Sequence, residues 1–294
     1  MQADITKKSV IAENRDGKPR QWRLWARQIG ALLSLELPKT LLSRRAALLY
    51  LLAGAPLLLL ALLCVWPPRL DASDTGVLLN NANTFYAQIY VWFLLRTVIF
   101  FGCAWLFMSL FRGEIIDRSL HYYFLTPVRR EVLLVGKYLS GLLAAWAVFG
   151  VMTLIAQLLF YTALGPAVRS AYFANGPGLR HALAYLTITL LACMGYGAVF
   201  VLVGLVFRNP VIPALLAYGW EIINFLLPPL LKKISVVHYL NSLAPVPVTE
   251  GPFAITAEPT PVIWAVLGLI LFTVVVLALA GRRARRLEIS YGNE

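Results

Sequence analysis

The stretch Arg112-Gly113-Glu114-Ile115-Ile116-Asp117-Arg118-Ser119-Leu120-His121-Tyr122-Tyr123-Phe124-Leu125-Thr126-Pro127-Val128-Arg129-Arg130 continues through Glu131 to Gly136-Lys137 and lies between two apolar runs, about 89–111 and 132–162. It concentrates charge, helix punctuation and aromatic residues in a chain that is otherwise oily. Of the 294 residues, 60% are hydrophobic and 14% charged, with a mean hydropathy of +0.73. Soluble domains are nearer half apolar and about a quarter charged, so water is not the solvent for most of this chain. A hydrocarbon core about 30 Å thick asks for roughly 20 apolar residues per helix. Six stretches qualify, at about 46–66, 89–111, 132–162, 182–207, 211–231 and 262–280. Backbone polar groups in lipid must be satisfied internally, and no alternating ten-residue pattern suggests a barrel, so these stretches are expected to be helices. The expected fold is an all-α, polytopic membrane protein with six transmembrane helices, an N-terminal interfacial amphipathic helix and a cytoplasmic coupling helix between spans two and three.

A net charge of +12 raises the possibility of nucleic acid, but the distribution of the charge points elsewhere. Twenty of the 26 Lys and Arg residues fall in segments 1–45, 112–137, 208 and 282–286, against five (Arg69, Arg169, Arg180, Lys232 and Lys233) in the alternate loops. Cytoplasmic loops carry such an excess, which puts both termini in the cytoplasm of a multi-pass protein. The basic surplus then serves topology and attraction to anionic membrane lipid, with no nucleic-acid partner. Cys64, Cys103 and Cys193 sit in spans without metal-ligand spacing and read as small buried hydrophobes; His121, His181 and His238 are equally scattered. No cleavable signal is visible, because the first apolar run begins only near residue 46.

The expected organisation runs from a disordered cytoplasmic tail (1–19) through an amphipathic interfacial helix (20–45) to a six-span domain (46–281) and a basic cytoplasmic tail (282–294). In the second segment Trp22, Trp25, Ile29, Leu32 and Leu33 recur at helical spacing while Arg20, Arg23 and Arg27 take the opposite face. A basic amphipathic helix with two Trp residues suits the membrane interface, the other option being a helix packed on a partner. Pro38 is expected to break it. The outer loops, about 67–88, 163–181 and 232–261, are rich in Pro, Gly and Asn, and the apolar content of the last suggests short helices dipping back toward the membrane. On the inner side Arg208-Asn209-Pro210 makes a tight turn, with Asn209 as cap and Pro210 at the first helical position.

Within the opening stretch, Ile116, Leu120, Tyr123 and Phe124 fall at helical spacing, so 114–125 is expected to be a short amphipathic helix at the cytoplasmic surface. Thr126-Pro127 then starts a helix running to about Tyr161, roughly 50 Å long, whose first turns with Arg129, Arg130 and Lys137 project from the bilayer. This segment resembles the signature of type-2 ABC exporter permeases. That signature has an acidic residue, a short helix ending in paired apolar residues, a Pro-Val/Ile-x-Arg turn, and an apolar run closing on Gly-Lys. Here these are Glu114, Leu120 to Leu125, Pro127-Val128-Arg129-Arg130, Val132-Leu133-Leu134 and Gly136-Lys137. The six-span layout, the amphipathic helix before the first span and the long loop between spans five and six are similar too. Where the family often has Gly-Thr-Leu-Glu, this chain has Arg118-Ser119-Leu120-His121.

The resemblance implies that the short helix seats in a groove of a separate ATPase subunit. Glu114, Asp117, Arg118, Leu120, Phe124, Pro127, Arg129, Arg130 and Lys137 would then couple that subunit to the spans. Two permease chains, identical or different, would work with two ATPase subunits in the plasma membrane. The chain has no G-x-x-x-x-G-K-[ST] loop, so ATP and Mg would be bound by the partner, with no cofactor and no catalytic site here. The substrate expected is amphipathic or polymeric.

Arg96 and Glu221 are the two ionisable residues clearly inside spans, where such groups are rare and usually paired or facing a cavity. At comparable depth below the outer surface, they are expected to approach directly or through water, as a polar latch, a headgroup contact or a structural pair. Gly136, Ser140 and Ala144 form a small-residue stripe that permits close helix approach. Trp66, Tyr86, Tyr90 and Trp92 fit an outer aromatic belt or, alternatively, a lateral opening. An intramembrane enzyme would need clustered nucleophiles, His or carboxylates, and none appear in the sequence. A secondary transporter or a membrane scaffold without an ATPase are the other readings.

Overall fold

The computed structural model describes residues 17–43, 46–66, 75–116, 129–207, 209–232, 234–248 and 261–285. Of these, 89% are helical and none lies in a strand. Helix α1 spans Gly17–Leu42 and α2 spans Ala46–Val65. The next helix starts as α3, Thr75–Ile89, loosens into a π-helix over Tyr90–Ile99, and resumes as α4, Phe100–Ile116. Then come α5, Arg130–Ala163, α6, Pro166–Phe173, and α7, Gly178–Val206. After α8, Val211–Ile223, the chain makes a 3-10 turn at Asn224–Leu226. Two short helices, α9 at Pro229–Lys232 and α10 at Val236–Asn241, precede α11, Val262–Arg285.

Five helical stretches are long and apolar enough to cross a membrane: Ala46–Val65, Gly76–Leu110, Arg130–Ala163, Gly178–Val206 and Val262–Arg285. This is a membrane-embedded helical protein. The sixth expected span, 211–231, is not one helix. α8 has 13 residues, about 20 Å against a core of about 30 Å. Beyond it Pro228 and Pro229 deny the backbone donors that a continuing helix would need.

Other expectations change at the helix ends. Pro38 lies inside α1 rather than ending it; Leu37 and Leu41 pack against the core on either side of it. The Asn-rich segment expected as loop is helical from Thr75, because Ala82 and Tyr86 find buried seats. Likewise α6 forms inside the expected second loop, seated by Val168 and Tyr172. Gly165 turns the chain into it at φ +101°, a conformation suited to glycine, and Pro166 takes the first helical turn. The described part of α5 begins at Arg130, whose preceding residue Arg129 is extended, rather than at Pro127. At the α7–α8 corner the Asn209 side-chain oxygen accepts the Val211 N–H at 3.3 Å, as a turn cap should.

The core sits where α4, α5 and α7 meet. Phe107 wedges between two glycines: a Cβ would fall 2.6 Å from its ring at Gly197 and 3.0 Å from it at Gly141. Deleting side chains there is what lets the three backbones close around one aromatic ring. The stripe Gly136, Ser140 and Ala144 is fully buried, and Gly136 receives Leu32 of α1. α2 and α11 bury only narrow stripes; 22% of each apolar window is inside the protein, leaving Leu58, Leu62, Ile263 and Leu271 exposed. Such faces belong against hydrocarbon.

Candidate functional site

Among the described residues, the expected site residues fall in two regions. The first is the end of the bundle where α5 begins and α11 finishes, called here the basic end. Of the expected coupling residues, Asp117, Arg118, Leu120, Phe124 and Pro127 lie outside the described residues, as does the short helix proposed for them. Glu114 is in the last turn of α4, with its side chain not described, and the same holds for Trp22 and Arg23 on α1. Arg129, Arg130 and Lys137 are described, and each is engaged. The Arg129 guanidinium stands 5.2 Å over the ring of Trp25, joining the basic turn to the aromatic face of α1. Arg27, on the other face of α1, is exposed.

Lys137 is a correction. It was expected to face a partner, yet it is 0% exposed and its Nζ donates to Glu36 Oε1 at 3.1 Å. Glu36 follows Trp25, Ile29 and Leu32 on one face of α1, so the same helical period that buries Leu32 buries the carboxylate. A lysine this deep is tolerated because its charge is matched. One residue beyond Arg129, Arg130 donates to the Arg285 carbonyl at 2.9 Å, and Arg285 forms an ion pair with Glu131. The first two turns of α5 are thus fastened to α1 on one side and to the end of α11 on the other.

The second region lies inside the bundle. Arg96, 1% exposed, belongs to the π-helix and lies 4.1 Å over the ring of Trp92. Glu221, 6% exposed, is near the end of α8. Tyr196 of α7 is buried as well, at 2% exposed. Glu221 also does something the sequence did not suggest. Its carboxylate accepts the Ser235 hydroxyl at 2.5 Å, the Val236 N–H at 3.1 Å and the Val237 N–H at 3.3 Å. It therefore caps α10 from 14 to 16 residues away in the chain.

A buried tyrosine cluster was also missed. Tyr86 and Tyr90 are 0% exposed and do not belong to an aromatic belt; Trp66, at 79% exposed, fits one. The Tyr90 hydroxyl donates to the Tyr185 carbonyl at 2.9 Å and meets Thr189 Oγ1 at 2.8 Å. Tyr161 and Tyr172 stack at 3.5 Å, nearly parallel at 9°. Tyr161 donates to Asn83 Oδ1 at 2.6 Å. Tyr172 accepts from Gln157 Nε2 at 2.7 Å and contacts His181 Nδ1 at 3.1 Å. Burial pushes the Tyr172 hydroxyl above its ordinary range, so it stays neutral and available to hydrogen-bond. Amphipathic rings suit an interface and a satisfied core equally, and only their hydrogen-bond partners separate the two. What these groups form is linkage between helices. Comparison with known proteins adds no assignment: no protein-family model matches the sequence, and no curated protein and no solved structure matches it either.

Proposed function

We propose that this chain is the permease subunit of an ATP-binding cassette exporter of the type-2 class. In this proposal it couples ATP hydrolysis by a separate ATPase subunit to extrusion of an amphipathic or polymeric substrate across the plasma membrane. The observation that carries the proposal is the base of α5. That helix has 34 residues, about 51 Å, which exceeds a bilayer core by some 20 Å. The surplus at its start holds Arg129 and Arg130 of the coupling signature and is bound to α1 and α11. A push on the 114–130 segment would pass into three helices at once. ATP and Mg belong to the partner, and two permease chains with two ATPase subunits would complete the machine.

One observation favours a second reading. A helix interrupted in mid-bundle beside an ionisable residue is the pattern of ion-coupled secondary transporters. Here, however, the Glu221 carboxylate is already occupied by three donors of its own chain. ATP dependence separates the two. The chain is purified with whatever binds it, reconstituted into liposomes, and the bound ATPase activity measured for Glu114→Ala and Arg129→Ala variants. Loss of ATPase binding or of membrane-chain stimulation by tenfold or more is expected in both. Retention of a partner with unchanged stimulation would remove the coupling assignment, and absence of any ATP-hydrolysing partner would favour the secondary transporter.

A further inference from the structure

We propose that the cavity between α2, α3 and the end of α5 is a binding slot for one acyl chain of a phospholipid from the adjoining leaflet. The cavity holds about 580 Å³, within the roughly 300–1,000 Å³ of small-ligand pockets. One wall is a single stripe of α3, where Leu78, Ala82, Phe85 and Ile89 recur every three or four residues. Eleven residues separate Leu78 from Ile89, about 17 Å along the helix, against about 15 Å for half of a hydrocarbon layer. α2 ends at Val65, α3 starts at Thr75 and α5 ends at Ala163, so all three place the slot at the end of the bundle opposite the basic end. Its length and its place are those of one leaflet.

The walls are fixed in place. α2 and α3 are each fastened to α5 at this level: the Cys64 thiol donates to the Leu159 carbonyl at 3.3 Å, and Tyr161 donates to Asn83 Oδ1 at 2.6 Å. Phe160, between these two anchors, packs against the rings of Phe85 and Tyr86 at centroid separations of 6.2 and 5.2 Å. Water is a poor filling, because a buried water needs about two to four polar partners, and among the lining residues only Asn81 carries a polar side chain. Left empty, the slot would forfeit the dispersion contacts of its walls. The connection from α2 to α3, residues 67–74, brings three charges (Arg69, Asp71 and Asp74) and a single large apolar side chain, Leu70, which is the wrong chemistry for this lining. Hydrocarbon is the right one, and it is already at the mouth. Leu63 and Phe85 are 41% and 58% exposed there, while Leu60, Phe160 and Ala163 inside are 6%, 5% and 6% exposed. Asn81, exposed near the start of α3, has an amide that can donate to the ester oxygens where a chain joins its headgroup.

The site depends on the membrane embedding of the chain and not on the export reading. The chain is reconstituted in nanodiscs of dioleoyl phosphatidylcholine doped with a phosphatidylcholine bearing a mid-chain diazirine. After irradiation the adducts are mapped by peptide mass spectrometry. Adducts at Leu60, Phe160 and Ala163 are expected at least fivefold above those at Ile263 and Leu271 of α11, which are 72% and 65% exposed and meet only bulk lipid. Ala163→Phe fills the slot, and Leu63→Trp narrows its mouth from an exposed position. Each should lower the adducts at Leu60 and Phe160 at least fivefold while those on α11 stay as they were. Adducts spread evenly over slot and α11, or slot adducts that survive both substitutions, would overturn the proposal. So would a slot that no phospholipid enters, the result expected if a second copy or the 67–74 connection covers it. Labelling by a free fatty acid carrying the same diazirine, with none by the phospholipid, would overturn it too.

Discussion

Lys137→Met tests whether the lever is anchored to α1 by charge. The side chains are close in length, so packing changes little, but the Glu36 carboxylate is left buried without the ammonium that stood 3.1 Å away. Removing one member of a buried ion pair costs about 3–5 kcal/mol, because the survivor keeps its desolvation penalty. An upper bound comes from letting Glu36 take a proton instead. From a reference value of about 4.3, that costs about 3.7 kcal/mol at pH 7. The escape route also fixes the pH dependence. In the variant the folded state holds a proton that the unfolded state has released, so stability falls as pH rises, by about 1.4 kcal/mol per unit above pH ~4.3. The deficit relative to the unsubstituted chain should therefore be near 4 kcal/mol at pH 7 and near 1 at pH 5. Glu36→Leu combined with Lys137→Met should recover most of it, since an apolar pair of similar volume is neutral or better. Reversible unfolding in mixed micelles at both pH values measures all of this. A single variant costing under 1 kcal/mol at pH 7, or a double variant as poor as the single, would show that the pair is not buried as described.

Other perturbations follow from the same contacts. Gly102→Ala places a Cβ 2.1 Å from the buried Phe149 ring, and overpacking of this kind should cost about 1–3 kcal/mol in the same unfolding assay. Gly30→Ala on α1 meets nothing within 4 Å and should stabilise by about 0.5–1 kcal/mol through helix propensity. Tyr172→Phe strands the buried Gln157 amide, for an expected loss of about 1–3 kcal/mol and faster hydrogen exchange at the α5–α6 turn. Arg285→Ala breaks the exposed pair with Glu131, whose side chains are 67% and 40% accessible; its unfolding free energy should fall by less than about 1 kcal/mol, and the loss should shrink with salt.

Which of these contacts the sequence announced depends on how local their cause is. The five long spans were legible because length and apolarity decide them residue by residue. Glu36 was legible in principle: it falls eleven residues after Trp25 on the face shared with Ile29 and Leu32, and a charge on an apolar face asks for a partner. The tyrosine cluster was not, since the hydroxyls of Tyr86 and Tyr90 look alike whether water or Thr189 receives them. Nor was the π-helix at Tyr90–Ile99, which depends on neighbours contributed by other helices. The sixth span shows most plainly where hydropathy fails. Over 211–231 only Glu221 is charged, and counting residues makes the stretch a crossing. Counting donors gives a different answer, because Pro228 and Pro229 supply no N–H and the chain must leave the helix before the far surface. Once it does, unpaired backbone inside the membrane needs an acceptor, and the acceptor must come from a residue already at that depth. Glu221 meets that need. The buried carboxylate that looked like a candidate for substrate is required by the broken helix that follows it, because its oxygens are taken by the first donors of α10.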